Sequence, residues 1–379
     1  MSYLDYNLKT VPTGWRKILY VSWPLVFLLA AVSAIGFLML YSVAGGDIET
    51  WADPQMKRFG AGMAAMFVIG FVPIRVWRNF AIPSYLISIV LLVAVDMVGK
   101  IGMGAQRWIE LGPLRLQPSE LMKVALVMLL ATYYDWLDLK KVSRPLWVII
   151  PVILILAPTA LVLKQPDLGT AILLLAGGGA VMFAAGVSFW YFGTVIALVA
   201  ALVFAVMDSR GTDWQLIQDY QFKRIDIFLD PGADPLGAGY NISQAQIALG
   251  SGGWGGKGFM QGTQSRLNFL PEKHTDFIFT TLAEEFGFVG GASLLTLYGL
   301  IVGFCFASAL SNKDRFASLL TYGIATTFFL FFAVNMGMVM GLMPVVGVPL
   351  PLVSYGGTAM IIILSAFGLV QSAHIHRPR

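Results

Sequence analysis

One stretch of this 379-residue sequence brings ionisable side chains to the edge of a hydrophobic run. Asp276 lies where the polar stretch ends; its ionisable neighbours are Glu272, Lys273, His274, Glu284 and Glu285. A carboxylate between water and hydrocarbon can act as a general base, because desolvation raises its pKa toward the working range. The alternative is structural: Thr275 or Asp276 would cap the following helix by accepting its free N–H groups. The residue types alone leave both roles open.

Glu120 and Lys123 form a second ionisable group, at the start of another hydrophobic run. They follow the sequence Gln-Pro-Ser at 117–119, and proline favours the first turn of a helix. Residues three apart share a helix face, so Glu120 can pair with Lys123 about one turn inside the run. A lysine at that depth is costly and usually lines a cavity. The pair therefore predicts either a binding cavity or an internal ion pair that fixes the helix; neither faces lipid.

Basic residues in the loops are candidates for binding an anionic group. Arg107 and Lys164 both lie close to hydrophobic runs. Arginine matches phosphate oxygens in its geometry, and lysine acts as a point charge. The alternative is that each side chain packs within its loop or extends to the membrane surface. The three histidines and the single cysteine show no metal-ligand spacing, so the sequence predicts no structural zinc site.

The composition indicates a membrane protein built of helices. Hydrophobic residues make up 57% of the chain and charged residues 12%, about half the charged share of a soluble domain. About 20 apolar residues span a bilayer, and apolar runs occur at 18–43, 57–73, 79–98, 118–134, 145–163, 168–186, 188–207, 277–310, 316–343 and 346–372. The sequence therefore predicts an all-α polytopic membrane protein, one domain over 1–379 with about ten transmembrane helices.

Charge in the short loops predicts the orientation of these helices. With the N-terminus cytoplasmic, the inner segments carry twelve lysine and arginine residues and the short outer loops carry six. Basic residues favour the cytoplasmic side, so both termini are expected there. The long 208–275 segment between the seventh and eighth helices is then an extracytoplasmic insertion. The candidate site residues at this outer side are Arg58, Arg107, Glu120, Lys123, Lys164, Lys273 and Asp276.

Three segments near the candidate site have distinctive patterns. Residues 220–230 and 242–249 are predicted to form short helices, the first at the membrane interface. The glycine-rich run 250–258 lacks the Ser or Thr that follows lysine in a Walker A loop. It indicates a turn-rich loop for a substrate or partner, or a plain flexible loop. The Pro/Gly-rich residues 343–358 are expected to break the last helical hairpin as a re-entrant or kinked wall element.

In their order along the chain, several motifs resemble the SEDS family (shape, elongation, division and sporulation). The matching runs are Gly104–Ile109, Gln117–Glu120, Lys164–Thr170, Asp230–Tyr240, Gly250–Gly253, Gly262–Ser265, Leu270–Phe279 and Pro344–Thr358. They extend from the third predicted helix to the last, and the run around Asp276 is highly specific. One departure is Lys273, where the family motif has arginine; the charge is kept but bidentate contact is lost.

The resemblance implies a peptidoglycan glycosyltransferase of cell elongation that polymerises lipid II at the outer face of the inner (cytoplasmic) membrane. It implies an inverting transfer from a glycan strand linked to undecaprenyl pyrophosphate. Asp276 would be the catalytic base or a ligand of a divalent cation, Mg²⁺ or Mn²⁺, with Glu120 as a second possible ligand; no organic cofactor is implied. The residues that would bind the headgroup and pyrophosphate are Arg58, Arg107, Glu120, Lys123, Lys164 and Lys273.

The same resemblance implies partners in the membrane. A class B penicillin-binding protein (a transpeptidase) and other membrane proteins of the elongation machinery are expected, and no nucleic acid. Two alternatives remain open. One is a lipid II flippase, although the inverted repeats typical of transporters are not found in the sequence. The other is a non-catalytic scaffold for the penicillin-binding protein.

Overall fold

Helices make up most of the chain in the computed structural model, which describes residues 14–98, 100–102, 105–111, 114–212, 214–230, 238–267, 269–270 and 272–377. The α-helices are α1 (Trp23–Val43), α2 (Ala52–Phe71), α3 (Ile74–Val98), α4 (Pro118–Trp136), α5 (Pro145–Lys164), α6 (Leu168–Ala184), α7 (Phe189–Asp208), α8 (Asp219–Leu229), α9 (Ala238–Ser251), α10 (Thr263–Arg266), α11 (Ile278–Leu310), α12 (Arg315–Val339) and α13 (Ala359–Ile375).

Ten of these helices follow the ten predicted apolar runs in order. Six of them, α1, α3, α5, α7, α11 and α12, are long and apolar enough to cross a membrane by length and composition. Two more, α6 and α13, are equally apolar in character but shorter. The remaining two, α2 and α4, carry charged residues in their first turns. The predicted all-α polytopic membrane fold is confirmed.

Shorter elements connect the long helices. Between α3 and α4 lies a small antiparallel sheet of β1 (Lys100–Gly102), β2 (Ala105–Leu111) and β3 (Leu114–Leu116), which the sequence analysis did not anticipate. Residues 209–277 separate α7 from α11 and contain α8, α9 and α10. Helix α8 agrees with the predicted helix at 220–230, and α9 is longer than predicted.

Helix α12 is at the centre of the packing. Helices α4, α6, α11 and α13 all pack against it, and α2 packs along α13. The α2–α13 pair is close because Gly368 has no side chain: a Cβ atom there would lie 2.8 Å from the carbonyl oxygen of Met66. Helix α7 lies at the periphery, and none of its residues is buried.

Two interruptions of regular helix shape the region around Asp276. Gly287 in α11 has φ 65° and ψ −160°, so the helix is broken nine residues after it begins. Residues 340–358, here called the connecting segment, join α12 to α13 without regular helix. The predicted break in the last hairpin is therefore confirmed, and the helical part of the 346–372 run begins only at Ala359.

Candidate active site

A turn at residues 272–277 places Asp276 directly before α11. The N–H groups of Thr275 and Phe277 donate to the carbonyl oxygen of Glu272 at 3.2 and 3.3 Å, which closes the turn. Phe277 is the N-cap of α11, and no side chain caps this helix. The Thr275 hydroxyl donates instead to the Glu272 carboxylate at 2.9 Å. The interpretation of Thr275 or Asp276 as the helix cap is therefore wrong.

Burial changes the proton affinity of the Asp276 carboxylate. Its pKa is raised from 3.8 to about 6, first by burial and then by the negative charge of Glu272. Among the described residues, no side chain donates a hydrogen bond to this carboxylate or forms an ion pair with it. Burial also lowers the pKa of Lys273 and of His274. A buried, unpaired carboxylate with a pKa near neutrality is suited to accept a proton.

Residues outside this turn hold its main chain by hydrogen bonds. Three successive carbonyl oxygens accept hydrogen bonds, two from the connecting segment and one from α12. The donor–acceptor pairs are Tyr355 N–H to His274 (2.9 Å), Ser354 hydroxyl to Thr275 (2.5 Å) and Asn335 side-chain amide to Asp276 (2.9 Å). On the other side, Gly347 approaches the carboxylate, since a Cβ atom there would lie 3.7 Å from Oδ2 of Asp276.

An aromatic group covers the same turn. The ring of Trp51 stacks on His274 with centroids 4.1 Å apart and meets Tyr355 edge-on at 4.7 Å. Arg58 donates a hydrogen bond to the Tyr355 hydroxyl at 3.0 Å, and its guanidinium lies 4.6 Å from the centre of that ring. The structure therefore brings Arg58 of α2 close to the turn, as the candidate site requires.

Glu120 and Lys123 form the predicted ion pair. The two side chains are buried and their charged atoms are 2.6 Å apart. The Lys123 ammonium lies 3.9 Å from the centre of the Phe331 ring. Phe331 is four residues before Asn335, hence one turn along the same face of α12. The ion pair thus lies about one helical turn from the point where α12 holds the Asp276 main chain.

A cleft begins at this ion pair. It lies between α4, α12 and α13, and its space, including the part open to solvent, is about 420 Å³. Glu120 and Lys123 are its charged residues, and apolar side chains such as Phe328, Ile362 and Phe367 line the rest. This combination of a charged end and an apolar body supports both sequence interpretations at once: the pair is satisfied internally and also lines a cavity.

The other predicted binding cations, Arg107, Lys273 and Lys164, have different surroundings in the structure. Arg107 donates to the Gln165 carbonyl at 3.1 Å and lies 3.8 Å from Asp167, so it fixes the small sheet to the α5–α6 loop. Lys273 donates to the Ser265 carbonyl at 2.6 Å. The Lys164 ammonium is exposed and has no hydrogen-bond or ion-pair partner in the described part of the chain. Arg107 and Lys273 are thus engaged by the protein, whereas Lys164 is available to an anion.

The residues offer a divalent cation limited coordination. No group of three His, Cys, Asp or Glu residues that could hold a metal occurs in the searched, described residues. Glu120 is already paired with Lys123. Asp276 supplies one unpaired carboxylate, and Mg²⁺ commonly binds through one or two carboxylates together with substrate phosphates and water. Asp276 therefore fits a cation that arrives with a phosphorylated substrate, and Glu120 does not.

The glycine-rich run is attached to α11. The carboxylate of Glu284 accepts hydrogen bonds from Lys257 at 2.6 Å and from the N–H and hydroxyl of Thr263 at 2.9 and 2.8 Å. The N–H of Gly258 donates to the Glu285 carbonyl at 3.0 Å. Gly256 has φ +78°, and a Cβ atom there would lie 2.1 Å from the same carbonyl oxygen. The interpretation as a plain flexible loop is therefore wrong; a role toward a substrate or partner stays a prediction.

Sequence reasoning missed the residues that hold the Asp276 turn. Asn335 and Ser354 were not singled out, and neither was Gln55, whose side-chain amide donates to the Ser354 carbonyl at 3.0 Å. Asn335 had a usable signal, since it is the polar amide inside an otherwise apolar run and polar groups within a membrane span are costly. Ser354 had none, because serine is common in loops.

The protein-family model FTSW_RODA_SPOVE, described as cell cycle protein, matches residues 22–379. The chain belongs to this family. The resemblance to the SEDS family, drawn above from its motifs, is thereby confirmed, and within that family the motifs are most similar to RodA.

Two relatives match this chain over nearly all of its length. It is 42% identical over 367 residues to the peptidoglycan glycosyltransferase MrdB of Escherichia coli K12, covering 96% of each chain. It is 34% identical over 365 residues to the probable peptidoglycan glycosyltransferase FtsW of Trichlorobacter lovleyi, covering 91% of each.

Solved structures share the fold. The rod shape determining protein RodA of Thermus thermophilus matches with a TM-score of 0.71 at 32% identity, over 95% of this chain and 98% of that one. A chain from a peptidoglycan synthase complex, solved to describe the coordination of polymerization and crosslinking, matches with a TM-score of 0.79 at 35% identity, over 93% of this chain and 97% of that one.

Proposed function

We propose that this peptidoglycan glycosyltransferase polymerises lipid II with Asp276 as its general base. The observation that carries the proposal is the buried Asp276 carboxylate, which has a pKa of about 6 and no partner among the described side chains. The E. coli relative, at 42% identity over 96% of the chain, is named for the same activity.

The proposed reaction is an inverting transfer between two lipid-linked sugars. The 4-hydroxyl of the GlcNAc of lipid II attacks C1 of the terminal MurNAc of the growing strand, and Asp276 takes the hydroxyl proton. The bond from C1 to the pyrophosphate oxygen breaks, and undecaprenyl pyrophosphate leaves with the electron pair. Because attack and departure occur on opposite faces of C1, its configuration inverts.

Charge on the leaving pyrophosphate needs compensation. Lys164 is the predicted cation available for it, and Arg58 stands beside the catalytic turn with Tyr355. Such preorganised charges typically stabilise a transition state by several kcal/mol. In the alternative role of Asp276, as a ligand of a divalent cation, that ion would supply positive charge to the pyrophosphate. The apolar cleft below the Glu120–Lys123 pair would hold a prenyl chain.

The proposal includes a location and a partner. The loop charges favour both termini in the cytoplasm, which puts Asp276 at the periplasmic face of the cytoplasmic membrane. A class B penicillin-binding protein is the proposed partner, because a structural relative belongs to a complex that coordinates polymerization with crosslinking. Cell elongation is the proposed process.

The test is lipid II polymerisation by purified protein with its partner, comparing wild type with Asp276→Asn. Asparagine keeps the shape and removes the base. We expect glycan strands to be lost while the thermal unfolding midpoint is not lowered. Asp53→Asn is the matched control, since Asp53 is a partly exposed aspartate of α2 whose carboxylate pairs with Lys57. Normal strands from Asp276→Asn would refute the base assignment. Lipid II crossing proteoliposomes without polymerisation would identify a flippase instead.

A further inference from the structure

The Asp276 turn is tethered through its main chain. The carbonyl groups of three successive residues, 274 to 276, each accept one donor, as described above. None of these donors belongs to the turn, and two come from residues 59 and 79 positions away in the chain. Three consecutive tethers from distant elements fix the path of the chain, and hence the direction of the Cα–Cβ bond of Asp276.

Asn335 links the turn to the opposite wall of the site. Its side-chain amide nitrogen donates to the carbonyl of Asp276 at 2.9 Å and to that of Val348 at 2.7 Å. The residue is fully buried. Two carbonyl acceptors require the NH₂ group on this side, so the orientation of the amide is determined by its partners. This side chain therefore joins the Asp276 turn to the connecting segment at Val348, a different point from the contacts of Ser354 and Tyr355.

This contact controls the surroundings of the carboxylate. Gly347, next to Val348, has φ +69° and faces Oδ2 of Asp276. Because Asn335 holds Val348, it also holds Gly347 against the carboxylate, and this wall excludes water from one side of it. Ser354 completes the frame, since its hydroxyl donates to Thr275 and accepts the N–H of Leu350 at 2.8 Å.

We propose that Asn335 and Ser354 are positioning residues for the transfer reaction: they hold the main chain of the Asp276 turn against the connecting segment, and so keep the catalytic carboxylate aimed and partly dehydrated. The inference rests on the proposed role of Asp276 as the base. It adds two residues that touch neither substrate nor the carboxylate itself and act through the backbone.

The expected signature of a lost tether is kinetic. Without Asn335, the wall at Gly347 can retreat, and the Asp276 carboxylate is no longer aimed at the acceptor hydroxyl. The charged groups nearest to it remain the same: Glu272, Lys273 and His274 of the turn and Arg58 of α2. A misdirected base lowers kcat, whereas substrate contacts, and so KM, are kept.

The experiment uses Asn335→Leu, a neutral variant of similar shape, in the full-length protein with its partner. Polymerisation kinetics are measured from pH 5 to pH 8. We expect kcat to fall about 10- to 100-fold, the scale of a misplacement near 1 Å, with KM within about twofold. Ser354→Ala should show the same pattern with a loss of about 3- to 10-fold, as for one hydrogen bond.

The control is Asn312→Leu. Asn312 also donates its side-chain amide to a carbonyl, that of Ala373 at 3.1 Å, but at the opposite end of α12. Its kcat and pH profile should match wild type. If Asn335→Leu does not fold, Ser354→Ala decides. Folded variants with a wild-type kcat, or with only a raised KM, would overturn the positioning role. Asp276→Asn is measured in parallel to separate the two proposals. If Asp276→Asn is inactive while Asn335→Leu and Ser354→Ala are fully active, the positioning role is refuted and the base assignment is kept.

Discussion

The charge on Asp276 should cost the folded protein stability, and Asp276→Asn should recover it. In the folded protein the pKa of this carboxyl is about 6, against 3.8 for an ordinary aspartate. The folded state thus holds the proton more tightly than the unfolded state does. One pKa unit corresponds to about 1.4 kcal/mol, so a difference of about two units amounts to about 3 kcal/mol at pH 7. Asparagine avoids this cost because it is neutral at every pH.

The pH dependence follows from the same two pKa values. Well below pH 3.8 the carboxyl is protonated in both states. At pH 4 it is about half ionised in the unfolded state and protonated in the folded state, so wild type and Asp276→Asn should still have similar stability. Between about pH 4 and pH 6 the wild type loses stability relative to the variant, and above about pH 6 the difference is constant. At about 2.1 cal/mol/K per residue, 379 residues give an unfolding entropy near 0.8 kcal/mol/K. The full difference then corresponds to about 4 °C in the unfolding midpoint.

The assay is thermal unfolding of the purified proteins in detergent at pH 4, 5, 6 and 7.5. We expect the Asp276→Asn midpoint to be higher than that of wild type at pH 7.5 and equal to it at pH 4. Asp53→Asn should give no such pH-dependent gain, because the Asp53 carboxylate is partly exposed and paired with Lys57. An unchanged or lower midpoint for Asp276→Asn at pH 7.5 would refute the reasoning. So would an equal gain at pH 4, which would point to packing instead of charge.

Substitutions at three further places test the framework around the site, each by thermal unfolding. Glu284→Gln should destabilise the protein by about 3 kcal/mol, because it leaves a lysine ammonium without its buried carboxylate; unchanged stability would contradict the contact. Gly256→Ala should prevent folding, whereas Gly255→Ala, with open space around its Cβ position, should be tolerated. Lys123→Met should destabilise the protein by about 3–5 kcal/mol, because it leaves the buried Glu120 carboxylate without its partner. Adding Glu120→Gln removes that charge and should restore much of the lost stability, but it should not restore strand synthesis. Full activity of that double variant would show that the Glu120–Lys123 pair has only a structural role.

The features that the sequence predicted well are those with a local signal. Ten helices could be read from hydropathy because each apolar run must satisfy its backbone within itself in a membrane. Asp276 stood out because it belongs to a cluster of ionisable residues at the edge of such a run. The Glu120–Lys123 pair was predictable because its two members are three residues apart on one helix.

The features that the sequence did not reveal depend on distant contacts. The tether from Asn335 to Asp276 joins residues 59 apart, and the tether from Ser354 to Thr275 joins residues 79 apart. No local pattern encodes such a pairing. The glycine-rich run was misjudged for a similar reason: glycines suggest flexibility, but here the absence of side chains lets the loop backbone reach the carbonyl groups of α11.

The way in which Asp276 is held explains how it can be fixed and basic at the same time. A hydrogen bond or a cation at the carboxylate would orient it but would also stabilise its charge, lowering the pKa and weakening the base. Tethers to the carbonyl groups of the turn orient the side chain through the main chain and leave both carboxylate oxygens without a donor from the described side chains. The desolvation that raises the pKa is then not cancelled. An enzyme that needs a rigid base near neutral pH at the edge of a membrane gains both properties from one frame.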